Sequence, residues 1–199
     1  MKKNFKFITS ILIVLCITLT IAIMPTEKEG AIYQDTVRLH ILANSNSDED
    51  QALKLIIRDK LLEKYGGLLA SSSSTEEAIS NLAELCAQME KDVNVWIKEN
   101  GKSYTCKIRL GEEWYDTREY EDFTLPCGYY TSLQVMLGDA EGKNWWCVMY
   151  PPLCTELATA KALGDDAVVN YTKEETKLIT KKGYNVKFKM LEIISETFS

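Results

Sequence analysis

The apolar residues of this chain change period partway along, and that change most limits the folds open to it. Leu53, Ile56, Ile57 and Leu61 recur at helical spacing, as do Ile79, Leu82, Leu85, Cys86, Met89, Val93, Trp96 and Ile97. From Tyr104 the period becomes two: Tyr104, Cys106, Ile108 and Leu110 alternate with polar residues. The same alternation sets Val37, Leu39 and Ile41 against Arg38, His40 and Leu42, and sets Tyr184, Val186, Phe188 and Met190 against Asn185, Lys187 and Lys189. A strand, two helices, several strands, then a helix and a strand describe an α+β fold. We expect a mostly antiparallel sheet with the two N-terminal helices packed on one face, in a single domain.

Local punctuation sets the expected boundaries. Asn44-Ser45-Asn46-Ser47 is a polar turn, and Ser47 with Asp50 has the spacing of a helix cap. That helix is expected to run to about Tyr65 and stop at Gly66-Gly67. Ser74 with Glu77 opens the second helix, which stops at Asn100-Gly101. Residues 117–123 are the expected hairpin partner of the strand that starts at Tyr104. Tyr129 to Leu137 and Trp145 to Tyr150 read as further strands, and Thr172 with Glu175 starts a short helix. Residues 155–170 fit no single element.

Residues 1–24 read as an export segment. Lys2, Lys3 and Lys6 precede an uncharged run from Phe7 to Met24, and a basic head before an apolar run sends the following chain across a membrane. The run is long for a signal peptide and near the lower limit of about 17–25 residues for a spanning helix. A cleaved signal peptide and a retained N-terminal anchor both fit. Residues 25–35 read as a linker and 36–199 as the globular domain. Cys16 follows Leu15, not a small residue, and reads as an ordinary apolar position.

The chain carries 23 basic and 29 acidic side chains, a net charge of −6. The export segment contains lysines and no acid, so the remainder is more acidic still. Such a field repels phosphate backbones and anionic lipid, which argues against nucleic acid as a partner and limits membrane contact to the N-terminal segment. Five cysteines follow the leader: Cys86, Cys106, Cys127, Cys147 and Cys154. Export permits disulfides, and an odd count leaves at least one thiol outside intrachain pairs. Cys147 and Cys154 flank Pro151-Pro152 and form the first candidate bridge, with Cys106–Cys127 the second. Cys86 lies on the apolar face of a helix and reads as a buried thiol.

The residues for catalysis are sparse. His40 is the single histidine, so a histidine-based metal site or a nucleophile–histidine pair has little to build on. It alternates away from the apolar strand face, and beside Arg38 it reads as a solvated or partner-facing imidazole. Acidic clusters such as Asp48-Glu49-Asp50 and Glu76-Glu77 sit in first helical turns, where they complement the helix dipole. No catalytic residue, metal or cofactor is expected. Trp145 and Trp146 are adjacent on a strand and must point to opposite faces. One can fill a core; the other faces a helix, a partner or water, and an exposed Trp is a natural binding hot spot.

Two blocks carry a family resemblance. The first runs Val37-Arg38-Leu39-His40-Ile41-Leu42-Ala43-Asn44-Ser45, then Asp48-Glu49-Asp50-Gln51 to Ile57-Arg58-Asp59. The second is Pro126-Cys127-Gly128-Tyr129-Tyr130, Leu137-Gly138, and Asn144-Trp145-Trp146-Cys147 through Pro151-Pro152-Leu153-Cys154. Together they resemble the stage II sporulation protein R family of endospore-forming bacteria over roughly residues 36–154. Asn46 stands where the family pattern has Asp, and Cys127 where it has Ala. The resemblance implies a signalling protein, not an enzyme. It would be exported from the forespore into the space between forespore and mother cell. There it would activate a membrane-embedded aspartic protease of the mother-cell membrane, through that protease's outward-facing part. The protease would then cleave the precursor of an early mother-cell sigma factor. On that reading Arg38, His40, Asn44, Trp145 and Trp146 are the candidate partner-binding residues; the alternative for each is a role in holding the fold. Two other functions compete: an exported cell-wall hydrolase and a wall-glycan-binding module that uses the tryptophans.

Overall fold

The computed structural model describes residues 2–23, 27–120, 123–152 and 171–180. In chain order the elements are α1 (Lys2–Ile23), α2 (Glu27–Gln34), β1 (Val37–Leu42), α3 (Asp48–Ala70), α4 (Thr75–Glu99), β2 (Cys106–Tyr115), β3 (Arg118–Glu119), β4 (Thr124–Leu125), β5 (Gly128–Leu137), β6 (Asn144–Tyr150) and α5 (Lys173–Ile179). The fold is α+β, as the periods predict. The strand expected at 184–190, the ambiguous stretch 155–170 and Cys154 all lie outside the described residues. Among the described residues no helix is long and apolar enough to cross a membrane. Along α1, large apolar side chains from Phe7 to Ile17 are exposed.

Both long helices begin where the caps predict. Ser47 accepts from the Asp50 amide and Ser74 from the Glu77 amide, each satisfying an orphan donor of a first turn. The stop of α4 also matches, with Asn100 at the C-cap and Gly101 at a φ of 75°. The stop of α3 does not. The helix runs through Gly66-Gly67 to Ala70. Each interior glycine costs about 1 kcal/mol relative to Ala, but stopping there would leave Leu69 outside the core. Leu61, Tyr65 and Leu69 follow one another at i, i+4 and are all buried. Burial of a Leu is worth about 1.5–3 kcal/mol, enough to carry the helix one more turn.

The main sheet has the order β2-β5-β1-β6. The β2–β5 and β1–β6 pairs are antiparallel, and β1–β5 is parallel. The partner of β2 is therefore β5, not residues 117–123; Arg118 and Glu119 of that stretch pair instead with Leu125 and Thr124 in the two-stranded β3–β4 ladder. Ten-residue strands offer far more pairing and burial than the short return could. The register also rules out the second candidate bridge. Cys106 pairs with Leu137 at one end of the hairpin, while Cys127 precedes Gly128 at the other. Ten residues at about 3.3 Å each separate the two ends. Cys86, Cys106 and Cys127 are all thiols, and Cys147, buried on β6, is not among them.

Helices α3 and α4 cover one face of this sheet. Val37, Leu39 and Ile41 of β1, Leu133, Val135 and Leu137 of β5, and Cys147 of β6 meet Leu53, Ile57, Leu61, Leu82, Met89, Val93 and Ile97. Burial pushes the Cys106 thiol in this core up to about 12. At the end of β1 a polar hub joins the sheet to α3. Asp50 accepts from Asn44 Nδ2 at 2.7 Å, Ser45 Oγ at 2.6 Å and Tyr104 Oη at 2.9 Å, with Lys102 Nζ at 3.2 Å. Burial alone would raise its pKa; these hydrogen bonds outweigh it and hold the carboxylate well below its ordinary range. Asn44 Oδ1 also accepts from the Asp139 amide, and Asn46 Oδ1 from the Lys143 amide. Gly138 has a φ of 57°, and a Cβ there would lie 2.0 Å from Asn44 Oδ1, so only glycine fits.

Candidate functional site

The opposite face of the sheet is built from different residues. Arg38 and His40 project there from β1, Tyr130, Ser132 and Gln134 from β5, Glu113 and Tyr115 from β2, and Trp146 and Val148 from β6, an alternation fixed by the strand registers. Over part of this face Ile32 and Tyr33 of α2, Tyr120, Phe123 and Leu125 of the small ladder, and Tyr171, Leu178 and Ile179 at α5 form a second cluster.

Arg38 is 0 % exposed. Its guanidinium carbon lies 3.8 Å from the Tyr115 ring centroid and 5.1 Å from that of Tyr130, and Nη2 donates to Tyr120 Oη at 2.8 Å. Desolvated cation–π contacts of this kind are worth about 2 kcal/mol. They hold a charge that has no carboxylate among the described residues within ion-pair reach. Arg38 Nε and Nη1 are buried with no hydrogen-bond partner among the described residues.

His40, 6 % exposed, is tied to a carboxylate. Its Nδ1 lies 2.7 Å from Glu113 Oε1, and its ring stacks on Trp146 with centroids 5.4 Å apart and 24° between planes. Ser132 Oγ donates to Glu113 Oε2 at 2.8 Å and lies 2.7 Å from Tyr115 Oη. Burial acts to raise the Glu113 pKa. Hydrogen bonds from His40, Ser132 and Gln134 outweigh it and bring it down to about 2. The carboxylate is thus ionised and spent on holding its neighbours. Tyr115 is pushed up by burial, which keeps its hydroxyl protonated. Among the described residues no three His, Cys, Asp or Glu side chains gather as a metal site.

Three of the five candidate residues are brought together: Arg38, His40 and Trp146 share this face. Trp145 takes the helix face, 5.2 Å from the Arg58 guanidinium carbon. Asn44 sits in the Asp50 hub. The expectation that His40 is solvated is corrected: the strand face that alternation marks as polar is itself covered, so a residue opposite the apolar row is not thereby in water. Sequence reasoning missed Glu113, Tyr115, Ser132 and Arg118, whose guanidinium carbon lies 4.0 Å from the Trp146 ring centroid. The signal for two of them was present, because Glu113 and Tyr115 alternate with Ile108, Leu110 and Trp114 along the same strand.

The comparisons with known proteins agree on one family. The family model described as stage II sporulation protein R matches residues 33–160, which takes in β1 to β6 and the whole polar face described above except α5 and the start of α2. The stage II sporulation protein R of Bacillus subtilis (strain 168) is 29 % identical, with 87 % of each chain covered. No solved structure matches. On the match over residues 33–160, this chain belongs to the stage II sporulation protein R family.

Proposed function

We propose that the protein is an exported sporulation signal that works by being recognised. The forespore makes it and sends it into the space between the two cells, with α1 as cleaved leader or retained anchor. There the domain binds the outward-facing part of a membrane-embedded aspartic protease of the mother-cell membrane. It binds the active form of that protease more tightly than the inactive form and so shifts it toward activity. Cleavage of an early mother-cell sigma-factor precursor follows.

The family match carries this reading. Two structural features support it. The exposed apolar side chains of α1 suit a segment made for a membrane rather than for the domain core. The single histidine is engaged by Glu113 and Trp146, which suits a structural imidazole better than a catalytic one. The Cys147–Cys154 bridge belongs to the same proposal, since an exported domain folds where such a bond persists.

The test is co-expression of the protein with its cognate protease and sigma precursor in a non-sporulating host. Cleavage should require the exported protein. Equal cleavage without it defeats the reading. Muropeptide release from purified peptidoglycan would point instead to a wall hydrolase.

A further inference from the structure

The polar face falls into rows that run across the four strands. One row is Gly111, Ser132, Arg38 and Val148; the next is Arg109, Gln134, His40 and Trp146; the next is Lys107, Met136, Leu42 and Asn144. The second cluster closes over the first of these rows through Tyr115, Tyr130 and Val148. Among the described residues it reaches Trp146 and contains no residue of the last row. There Lys107 and Asn144 are exposed and Leu42 and Met136 half-buried, and in the middle row Arg109 is exposed and Trp146 half-buried. Among the described residues the sheet thus ends in a partly open shelf whose half-buried apolar and aromatic side chains are edged by exposed polar ones.

The charge on this shelf opposes that of the chain. No residue of its two rows is acidic, while Lys107 and Arg109 are basic and Arg118 lies over Trp146. The whole protein has a net charge of −6. The Arg109 guanidinium lies against Gly111 on the sheet: a Cβ there would stand 3.4 Å from Arg109 Nε, in ordinary van der Waals contact. Lys107 Nζ reaches Glu90 only at 3.8 Å and its side chain stays 77 % exposed. Among the described residues the buried Arg118 Nε–H has no acceptor and His40 Nε2 has no partner, and both side chains lie against the Trp146 ring.

We propose that this shelf, Leu42, Met136 and Trp146 flanked by Lys107, Arg109 and Arg118, docks an acidic segment of a protein partner. Its apolar residues give the contact area, and its cations exclude basic competitors and orient the segment. The inference rests on the proposed function in one respect, that the protein acts by being bound.

The single histidine gives an unambiguous probe. The full chain in detergent micelles is titrated with a hexaglutamate peptide, a hexalysine peptide and sodium chloride at matched ionic strength, while the His40 imidazole resonances are followed. Hexaglutamate should shift them saturably, and hexalysine and salt should not. The double variant Lys107→Glu/Arg109→Glu should weaken that response by about tenfold while unfolding at the wild-type temperature. No shift with hexaglutamate, a shift that salt reproduces, or a response unchanged in the double variant overturns the site. In the co-expression assay the double variant should slow precursor cleavage, and Lys91→Glu on α4 should not. If the double variant supports normal cleavage while omission of the protein abolishes it, the docking site fails and the signalling role stands. If omission changes nothing, the signalling role fails, and the peptide titration alone decides the site.

Discussion

On one side of the sheet Leu39 is buried among Leu, Ile, Val and Met; on the other its neighbour Arg38 is buried among Tyr115, Tyr130 and Tyr120. The two residues are equally inaccessible, at 0 % exposure each. The helix face is held by burial, which has no direction and tolerates repacking. The polar face is held by hydrogen bonds and ring contacts, which work only at set distances and angles. Even a paired buried charge is weak evidence for stability, and Arg38 has no carboxylate partner among the described residues. The comparison therefore assigns stability to one face and a fixed surface shape to the other.

The largest effect should come from the helix face. Leu39→Ala should cost about 2–5 kcal/mol in urea unfolding, the sum of lost transfer energy and a residual cavity. Arg38→Met keeps most of the volume and removes a buried charge that has no carboxylate partner among the described residues, so it should cost clearly less. Equal losses would erase the distinction between the faces. The proposed bridge comes next. Cys147→Ser and Cys154→Ser should each cost about 2–4 kcal/mol, and the double variant should be no worse than either, whereas additive losses mean two separate thiols.

Glu113→Gln should cost about 1–3 kcal/mol at neutral pH, because His40 and Ser132 lose an ionised acceptor. Its pH dependence is sharper still. The folded value of about 2 lies below the ordinary 4.5, so the carboxylate stabilises fully above 4.5. That contribution is lost as the pH falls from 4.5 toward 2. The variant should therefore show a flatter stability profile across that window, and an unchanged slope would remove Glu113 from the network. The smallest effect is a gain. A Cβ at Gly67 meets nothing within 4 Å, so Gly67→Ala should add about 0.5–1 kcal/mol by removing the glycine penalty inside α3.

Local signals in the sequence carried most of the helix face. Period 3.6 placed α3 and α4, period two placed β1 and β2, and the caps at Ser47 and Ser74 are where spacing put them. What local pattern could not supply was non-local. The parallel β1–β5 pairing joins residues about ninety positions apart, and nothing near Val37 specifies Thr131 as its partner. The run of α3 past Gly66-Gly67 depends on where Leu69 lands. The polar face was the least legible part. Alternation marks Arg38 and His40 as opposite to the apolar row, yet whether that side meets water depends on α2, α5 and the β3–β4 ladder. The opposed tryptophans were legible because adjacent strand residues must diverge.

The account's central claim is that the domain acts outside the cytosol, where a partner recognises it. Its most direct test is a time course of sigma-precursor cleavage in sporulating cells that make either the full chain or residues 31–199 without the leader, at equal protein levels. Cleavage should follow only the full chain, with the leaderless form inert in the forespore cytosol. Equal cleavage from the leaderless form would contradict the account.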